Sequence, residues 1–321
     1  MKFLWATDQH FKDTPPISRK DNWLETCLDK VRQVRDLAEL HGVDAVLYGG
    51  DFFDVKVPSR TSHALVRSVI EAHATFSCPI YSNVGNHDLK LGKLEFLNQG
   101  PLATLFACGA FKPCYDDHEF SSPGVRVVGI PFHGVNYDLS RFEKIRKRDS
   151  ETIICMAHLL ASPKGGTMFE GEDIIRYEDL MTLAPEVEIF CFGHWHKDQG
   201  IQTLPSGQIV VNVGSTSRGS LSQDNLDRIP SVALITVSPD GRVSAEQIFL
   251  KIKPAEEVFD LEKAKLEEER DQNLSLFVQR VKELSAGVSR TDLETEIGGY
   301  GLPAKVYAKA VQYVEHARNR R

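Results

Sequence analysis

Long apolar runs are missing from this chain. Nothing approaches the roughly 20 residues that span a bilayer, and Met1-Lys2-Phe3-Leu4-Trp5 leads straight into acidic and polar residues instead of a signal-peptide core. These absences predict a cytoplasmic protein without a membrane anchor. Cysteine is sparse and unpaired in sequence: Cys27, Cys78, Cys108, Cys114, Cys155 and Cys191 form no C-x-x-C motif, which argues against a disulfide scaffold and a thiolate zinc site. Positive charge is not in excess either. Lys and Arg total 38 against 45 Asp and Glu, a net charge of −7, so any contact with nucleic acid has to be local. There is no internal repeat, no low-complexity tract, no G-x-S-x-G elbow and no Walker A loop, so a serine nucleophile and ATP hydrolysis by this chain are not expected.

What is present is 321 residues, 41% hydrophobic and 26% charged, enough for a full core and a small second domain. Short aliphatic runs alternate with stretches of helical period, the pattern of an α/β fold. Strands are expected at Phe3 to Thr7, Ala45 to Tyr48, Ile80 to Val84, Val125 to Ile130, Thr152 to Ala157, Ile189 to Phe192 and Ile209 to Val213. A helix should run from about Asp21 to Leu40 and stop at His41-Gly42, and a second, capped by Ser59, should carry Leu65, Val66, Val69 and Ile70. Val232 to Val237 and Arg242 to Leu250, joined by Pro239-Asp240-Gly241, read as a closing β-hairpin. The composition changes near Pro254, which divides the chain into residues 1–253 and a helical segment, 254–321, with a stripe of Leu274, Phe277, Val278, Val281 and Leu284 and a last helix from about Pro303 to Ala317.

The polar residues fall at the ends of these strands. Asp8-Gln9-His10 follows the first, Gly50-Asp51 the second and Gly85-Asn86-His87-Asp88 the third; His158 closes the fifth, and Gly193-His194-Trp195-His196 the sixth. Carboxyl ends of strands form the ligand crevice of an open α/β sheet, so groups nearly 190 residues apart in sequence should converge. Carboxylate, imidazole and amide oxygen without thiolate suit manganese, iron or zinc, and so many ligands are right for two ions sharing a carboxylate.

The ordered blocks D-x-H, G-D, G-N-H-D, H and G-H-x-H resemble the calcineurin-like metallophosphoesterase superfamily, over roughly Met1 to Ile252. The resemblance implies a β-sandwich flanked by helices and two divalent ions, manganese being the first choice. Asp8, His10 and His196 would hold one ion, Asn86, His158 and His194 the other, and Asp51 would bridge. His87 would act catalytically at the leaving oxygen, with Asp88 orienting it through a hydrogen bond.

Within the superfamily, Gly49-Gly50-Asp51-Phe52-Phe53-Asp54 followed by Val57-Pro58-Ser59-Arg60 resembles the second block of the SbcD nucleases, and Pro15-Pro16 with Arg19-Lys20-Asp21 resembles their shorter phage members. This implies a DNA nuclease subunit acting in repair, recombination or replication with an ABC-type ATPase of SbcC type, docked through residues 254–321. The family often pairs as a homodimer through the helices here at Thr61 to Phe76 and Lys93 to Phe106, where the apolar positions would equally serve the core. A small-molecule or cyclic-nucleotide phosphodiesterase is the rival, and a non-catalytic scaffold is a more distant one. The DNA-capping domain usual in the family finds little room here.

Other residues carry weaker expectations. His41, His63, His73, His118 and His316 read as structural or solvent-facing, and His133 could line the crevice. The basic run Arg141 to Arg148 is either a phosphate track or a solvated face, and Ser215 and Arg218, in the loop after the strand ending near Val213, are candidates for meeting substrate phosphate.

Overall fold

The computed structural model of the chain describes residues 1–54, 61–168, 171–262 and Tyr307. Two compact units divide it, Met1–Phe259 and Asp260–Arg321. Val57 to Arg60 and almost all of the stretches expected as helices within 256–284 and 303–317 lie outside the described residues; a short helix, Ala255–Val258, precedes them.

In chain order the strands of the first unit are β1 (Lys2–Ala6), β2 (Ala45–Tyr48), β3 (Ile80–Ser82), β4 (Lys112–Pro113), β5 (Phe120–Ser122), β6 (Val125–Ile130), β7 (Thr152–His158) and β8 (Ala161–Ser162). They continue as β9 (Gly166–Thr167), β10 (Asp173–Arg176), β11 (Ile189–Gly193), β12 (Gly200–Thr203), β13 (Ile209–Asn212), β14 (Ser231–Val237) and β15 (Val243–Phe249). One six-stranded sheet has the order β15-β14-β1-β2-β3-β4 and the other β12-β13-β11-β7-β6-β5, with a small third sheet β8-β10-β9. The expected hairpin is β14–β15, paired from Ser231↔Phe249 to Val237↔Val243.

Alternation of side chains along each strand explains why the central runs are apolar throughout. Phe3, Trp5, Ala45 and Leu47 point into the space between the sheets, against Val127, Ile154, Met156, Ile189 and Cys191. Leu4, Ala6, Val46 and Tyr48 point outward and are covered by helices α1 (Trp23–His41) and α2 (His63–His73) through Cys27, Val31, Val34, Leu65 and Val69. The second sheet is covered by the helix Tyr177–Leu183, whose Leu180 and Met181 meet Ile153, Cys155 and Phe190. This is the α/β sandwich flanked by helices.

Local chemistry fixes the element ends. Asn22 caps α1 by accepting from Glu25 N, and Gly42 ends it in the left-handed conformation, φ 56°. The cap of α2 is Ser62, not the expected Ser59: its Oγ accepts from Leu65 N at 3.0 Å, and Asp13 accepts from both Ser62 N (2.7 Å) and Ser62 Oγ (2.5 Å). Strand β3 stops at Ser82, short of Val84; Asn83 N still donates to Tyr48 O at 2.8 Å, and its side chain crosses the sandwich and donates to Ile130 O and Met156 O at 2.9 and 3.2 Å.

His73 is structural, as expected. Its Nδ1 donates to Val69 O at 2.7 Å, Tyr48 Oη lies 3.2 Å from Nε2, and rings of Tyr48, Phe52, Phe76 and Phe111 enclose it. Burial pushes its pKa down from 6.5 to about 4. The unfolded chain therefore takes up a proton that the folded one refuses, so His73 costs no stability above pH 6.5 and about 3 kcal/mol by pH 4. Urea midpoints at pH 7 and pH 4.5 should differ less in His73→Phe than in the unaltered protein; an equal pH dependence would refute this account.

Candidate metal centre

Strands β1, β2 and β3 run parallel in one sheet, and β7 and β11 run parallel in the other, so their carboxyl ends meet at one edge of the sandwich. The loops that leave them are laced together. Asp8 N donates to Gly50 O at 3.2 Å, His10 N to Asp51 O at 3.0 Å, His87 N to Asp51 Oδ1 at 2.7 Å, and His194 N to both oxygens of Asp8 at 3.2 Å. Asp8, His10, Asp51 and His194 hold left-handed backbone, with φ of 55, 55, 50 and 90°. Such strain costs on the order of 1–3 kcal/mol per residue and persists where the surrounding structure imposes it. Glycine is required alongside: a Cβ on Gly85 would stand 2.1 Å from Asp51 Oδ1 and 2.6 Å from His158 Cε1.

All seven residues expected as ligands are brought to this edge. Asp8, His10, Asp51 and His196 each offer an atom within 4.8 Å of the others, and so do Asp51, His158 and His194. Asn86 joins the second group, its Oδ1 3.3 Å from His158 Nε2. Asp51 belongs to both. It is fully buried, its Oδ2 has no hydrogen-bond partner, and that oxygen lies 3.3 Å from His158 Nε2 and 3.8 Å from His10 Nε2. His10 and His196 face each other with Nε2 atoms 2.8 Å apart.

The charges of these groups follow from burial and proximity. Burial first, and then the neighbouring His196, holds His10 well below its ordinary pKa, leaving the neutral imidazole a cation needs. Burial opposes ionisation of Asp51, but His158 outweighs it and the carboxyl stays well below its usual range. Burial likewise disfavours the His158 proton, and Asp51 overrides this, carrying the pKa up to about 9. A divalent cation would replace that proton as the counter-charge of Asp51, and the orphaned Oδ2 is placed to receive it. The donor set fits two ions that share Asp51.

The sequence model of the calcineurin-like phosphoesterases matches residues 1–198. The chain belongs to that family. Its members use a binuclear metal site and hydrolyse phosphoesters with it. Comparison with curated proteins gives no significant match. Among solved structures, a dimetal phosphatase from Danio rerio is similar at 16% identity and a TM-score of 0.48, over 78% of this chain and 99% of that one. An archaeal phosphodiesterase is similar at 12% identity and 0.38, over 77% and 100%. TT1561 of Thermus thermophilus is similar at 15% identity and 0.45, over 76% and 97%.

In this phosphoesterase the residues around the ligands differ from expectation in two places. Asp88 does not orient His87: its Oδ1 accepts from Phe53 N at 2.9 Å and its Oδ2 from Gly85 N at 3.0 Å, and burial, with Asp51 nearby, pushes its pKa up to about 7. Asp88 thus ties the second block to the third. The carboxylate on His87 is Asp54, whose Oδ1 lies 2.8 Å from Nδ1 and whose Oδ2 pairs with Lys12 at 2.6 Å. His10, Asp54 and His87 form a third group whose donor atoms lie within 4.8 Å of one another. Glu172, also unforeseen, has Oε1 2.9 Å from His194 Nε2.

Ser215 and Arg218 are engaged within the fold rather than presented to substrate. Ser215 Oγ donates to Asp8 O at 2.7 Å, and Arg218 is buried, donating to the carbonyls of Asn225 and Lys253. The run Arg141 to Arg148 reads as the solvated face: Arg141 pairs with Asp116, Lys147 with Glu188 and Arg148 with Glu119. His133 lines a cleft of about 880 Å³ with Asn86, His87, Leu91, Lys93 and Phe132. Phe52 and Phe53, between Asp51 and Asp54, are fully buried with Phe11, anchoring the second block. Among the described residues no helix is long and apolar enough to cross a membrane.

Proposed function

We propose that this phosphoesterase is a DNA nuclease subunit of SbcD type, cleaving phosphodiester bonds with two ions, manganese being the first choice. The observation that carries a diesterase reading is His87, which stands beside the ligand cluster with its ring 4.9 Å from that of His10, opens on the large cleft and has Nδ1 on Asp54. Support for DNA as the diester comes from the Gly49 to Asp54 block and from Lys93 at the cleft wall.

Asp8, His10 and His196 would hold the first ion, Asn86, His158 and His194 the second, and Asp51 both. When bound, the two cations lower the pKa of a water and polarise the phosphoryl oxygens for in-line displacement. Asp54 accepts from Nδ1–H of His87 and fixes the ring, so that Nε2–H can protonate the leaving oxygen as its bond to phosphorus breaks. Asp88 acts on the same step only by holding the backbone at Phe53 and Gly85. Residues 254–321 would bind the coiled coil of an SbcC-type ATPase, since this chain carries no Walker A loop of its own.

Digestion of end-labelled linear, circular and single-stranded DNA in manganese, beside bis-p-nitrophenyl phosphate and a cyclic nucleotide, tests the reading. Cleavage of DNA is expected, with the small diesters turned over more slowly. Rapid turnover of a small diester with DNA untouched, with and without an SbcC-type ATPase, would reject the nuclease reading and favour a small-molecule phosphodiesterase.

A further inference from the structure

His194 is held at two points. Its backbone N donates to Asp8, and its Nε2 lies 2.9 Å from Glu172 Oε1. Glu172 is itself fixed: the Tyr137 hydroxyl donates to the same Oε1, while Tyr137 Oη accepts from Leu160 N at 3.0 Å. Glu172 lies just before β10, the central strand of the small third sheet, and its carbonyl accepts from Met168 N at 2.8 Å. Neither main sheet contains it.

An ionised carboxylate only accepts hydrogen bonds, so the 2.9 Å contact requires the proton on Nε2 of His194 and leaves the lone pair on Nδ1. His158 shows the converse. Its Nδ1 donates to Gly49 O at 2.9 Å, and Nε2 is the nitrogen beside Asp51 and Asn86.

We propose that Glu172 is a positioning residue of the metal centre: through Nε2–H it sets the tautomer and ring orientation of His194, making Nδ1 the coordinating nitrogen, and Tyr137 holds Glu172 in that place. The proposal rests on the reading of His194 as a ligand of the second ion. A partner of this kind raises the basicity of a ligating imidazole, and its loss costs about 10–100-fold in metal affinity.

Calorimetric titration of manganese into the metal-free full chain reads this directly. Glu172→Ala should weaken one binding step about 10–100-fold and leave the other unchanged. Glu172→Gln, whose amide oxygen still accepts from Nε2–H, should retain most of the affinity, and Tyr137→Phe should lose less than Glu172→Ala. Long-range 15N–1H spectra of the imidazoles in the metal-free protein should show His194 protonated at Nε2. An unchanged isotherm in Glu172→Ala, or a proton at Nδ1, would overturn the proposal. If His194→Ala loses a binding step and Glu172→Ala does not, the positioning role alone fails; if His194→Ala keeps both steps, the ligand reading fails with it.

Discussion

His87→Ala is expected to lower kcat for phosphodiester hydrolysis by about 10²–10⁴, the usual contribution of a positioned general acid, while both manganese ions still bind. The side chain opens on the cleft, and its Nδ1 is taken by Asp54 at 2.8 Å. Its backbone N, which donates to Asp51 Oδ1, is untouched by the substitution, so the position of Asp51 should survive. Asp54→Asn should act in the same direction with a smaller loss, because it weakens the orientation of His87 without removing the proton donor. The two effects should be strongly non-additive, since Asp54 works through His87. Single-turnover rates, with manganese stoichiometry measured on the same samples, separate the outcomes. Loss of an ion in His87→Ala would instead make His87 a ligand, as the close group of His10, Asp54 and His87 permits geometrically.

Asp51→Asn should abolish metal-linked stabilisation altogether. In the unaltered protein, each site filled with manganese at a hundred times its Kd adds about 2.7 kcal/mol, or roughly 5–10 °C in Tm for a domain of this size. Asp51 alone belongs to both ligand groups assigned to the two ions, and its buried Oδ2 is the oxygen left without a hydrogen-bond partner. The asparagine can keep the acceptor for His87 N but removes the anion that holds the His158 proton, so the metal-free Tm should fall as that buried pair is broken. Melting curves with EDTA and with manganese measure both arms. A Tm shift in the variant equal to that of the unaltered protein would remove Asp51 from the bridging position.

Asp88→Asn provides the contrast between a chemical and a scaffolding carboxylate. Both oxygens of Asp88 accept from backbone N–H groups, so an amide in its place sets one donor against another at a buried site. Activity is then lost through stability and loop geometry, not through the protonation step.

Some of this molecule is written locally in the chain. Val125–Ile130 and Ala45–Tyr48 are strands as their runs of β-branched and aliphatic residues predict, and the ligand blocks stand at or just beyond the carboxyl ends of β1, β2, β3, β7 and β11. That arrangement is legible because parallel strands place their carboxyl ends at one edge wherever the sheet forms, so position along the chain already implies position in space. The partners of His87 and His194 are different in kind. Asp54 and Asp88 are the same residue type at comparable distances from the ligand blocks, and only the packing of the loop at Phe52 and Phe53 under the third block gives Asp54 to His87 and Asp88 to the backbone. Glu172 carries no local signal at all, being separated by 22 residues from His194 and by 35 from Tyr137. Arg218 and Ser215, polar residues in a promising loop, turn inward and donate to the carbonyls of Asp8, Asn225 and Lys253. The sequence by itself determined the central strands and which candidate ligands reach their carboxyl ends. Hydrogen-bond pairing across long separations was decided by tertiary structure, because a carboxylate or guanidinium is equally able to serve several partners and only the folded geometry selects one.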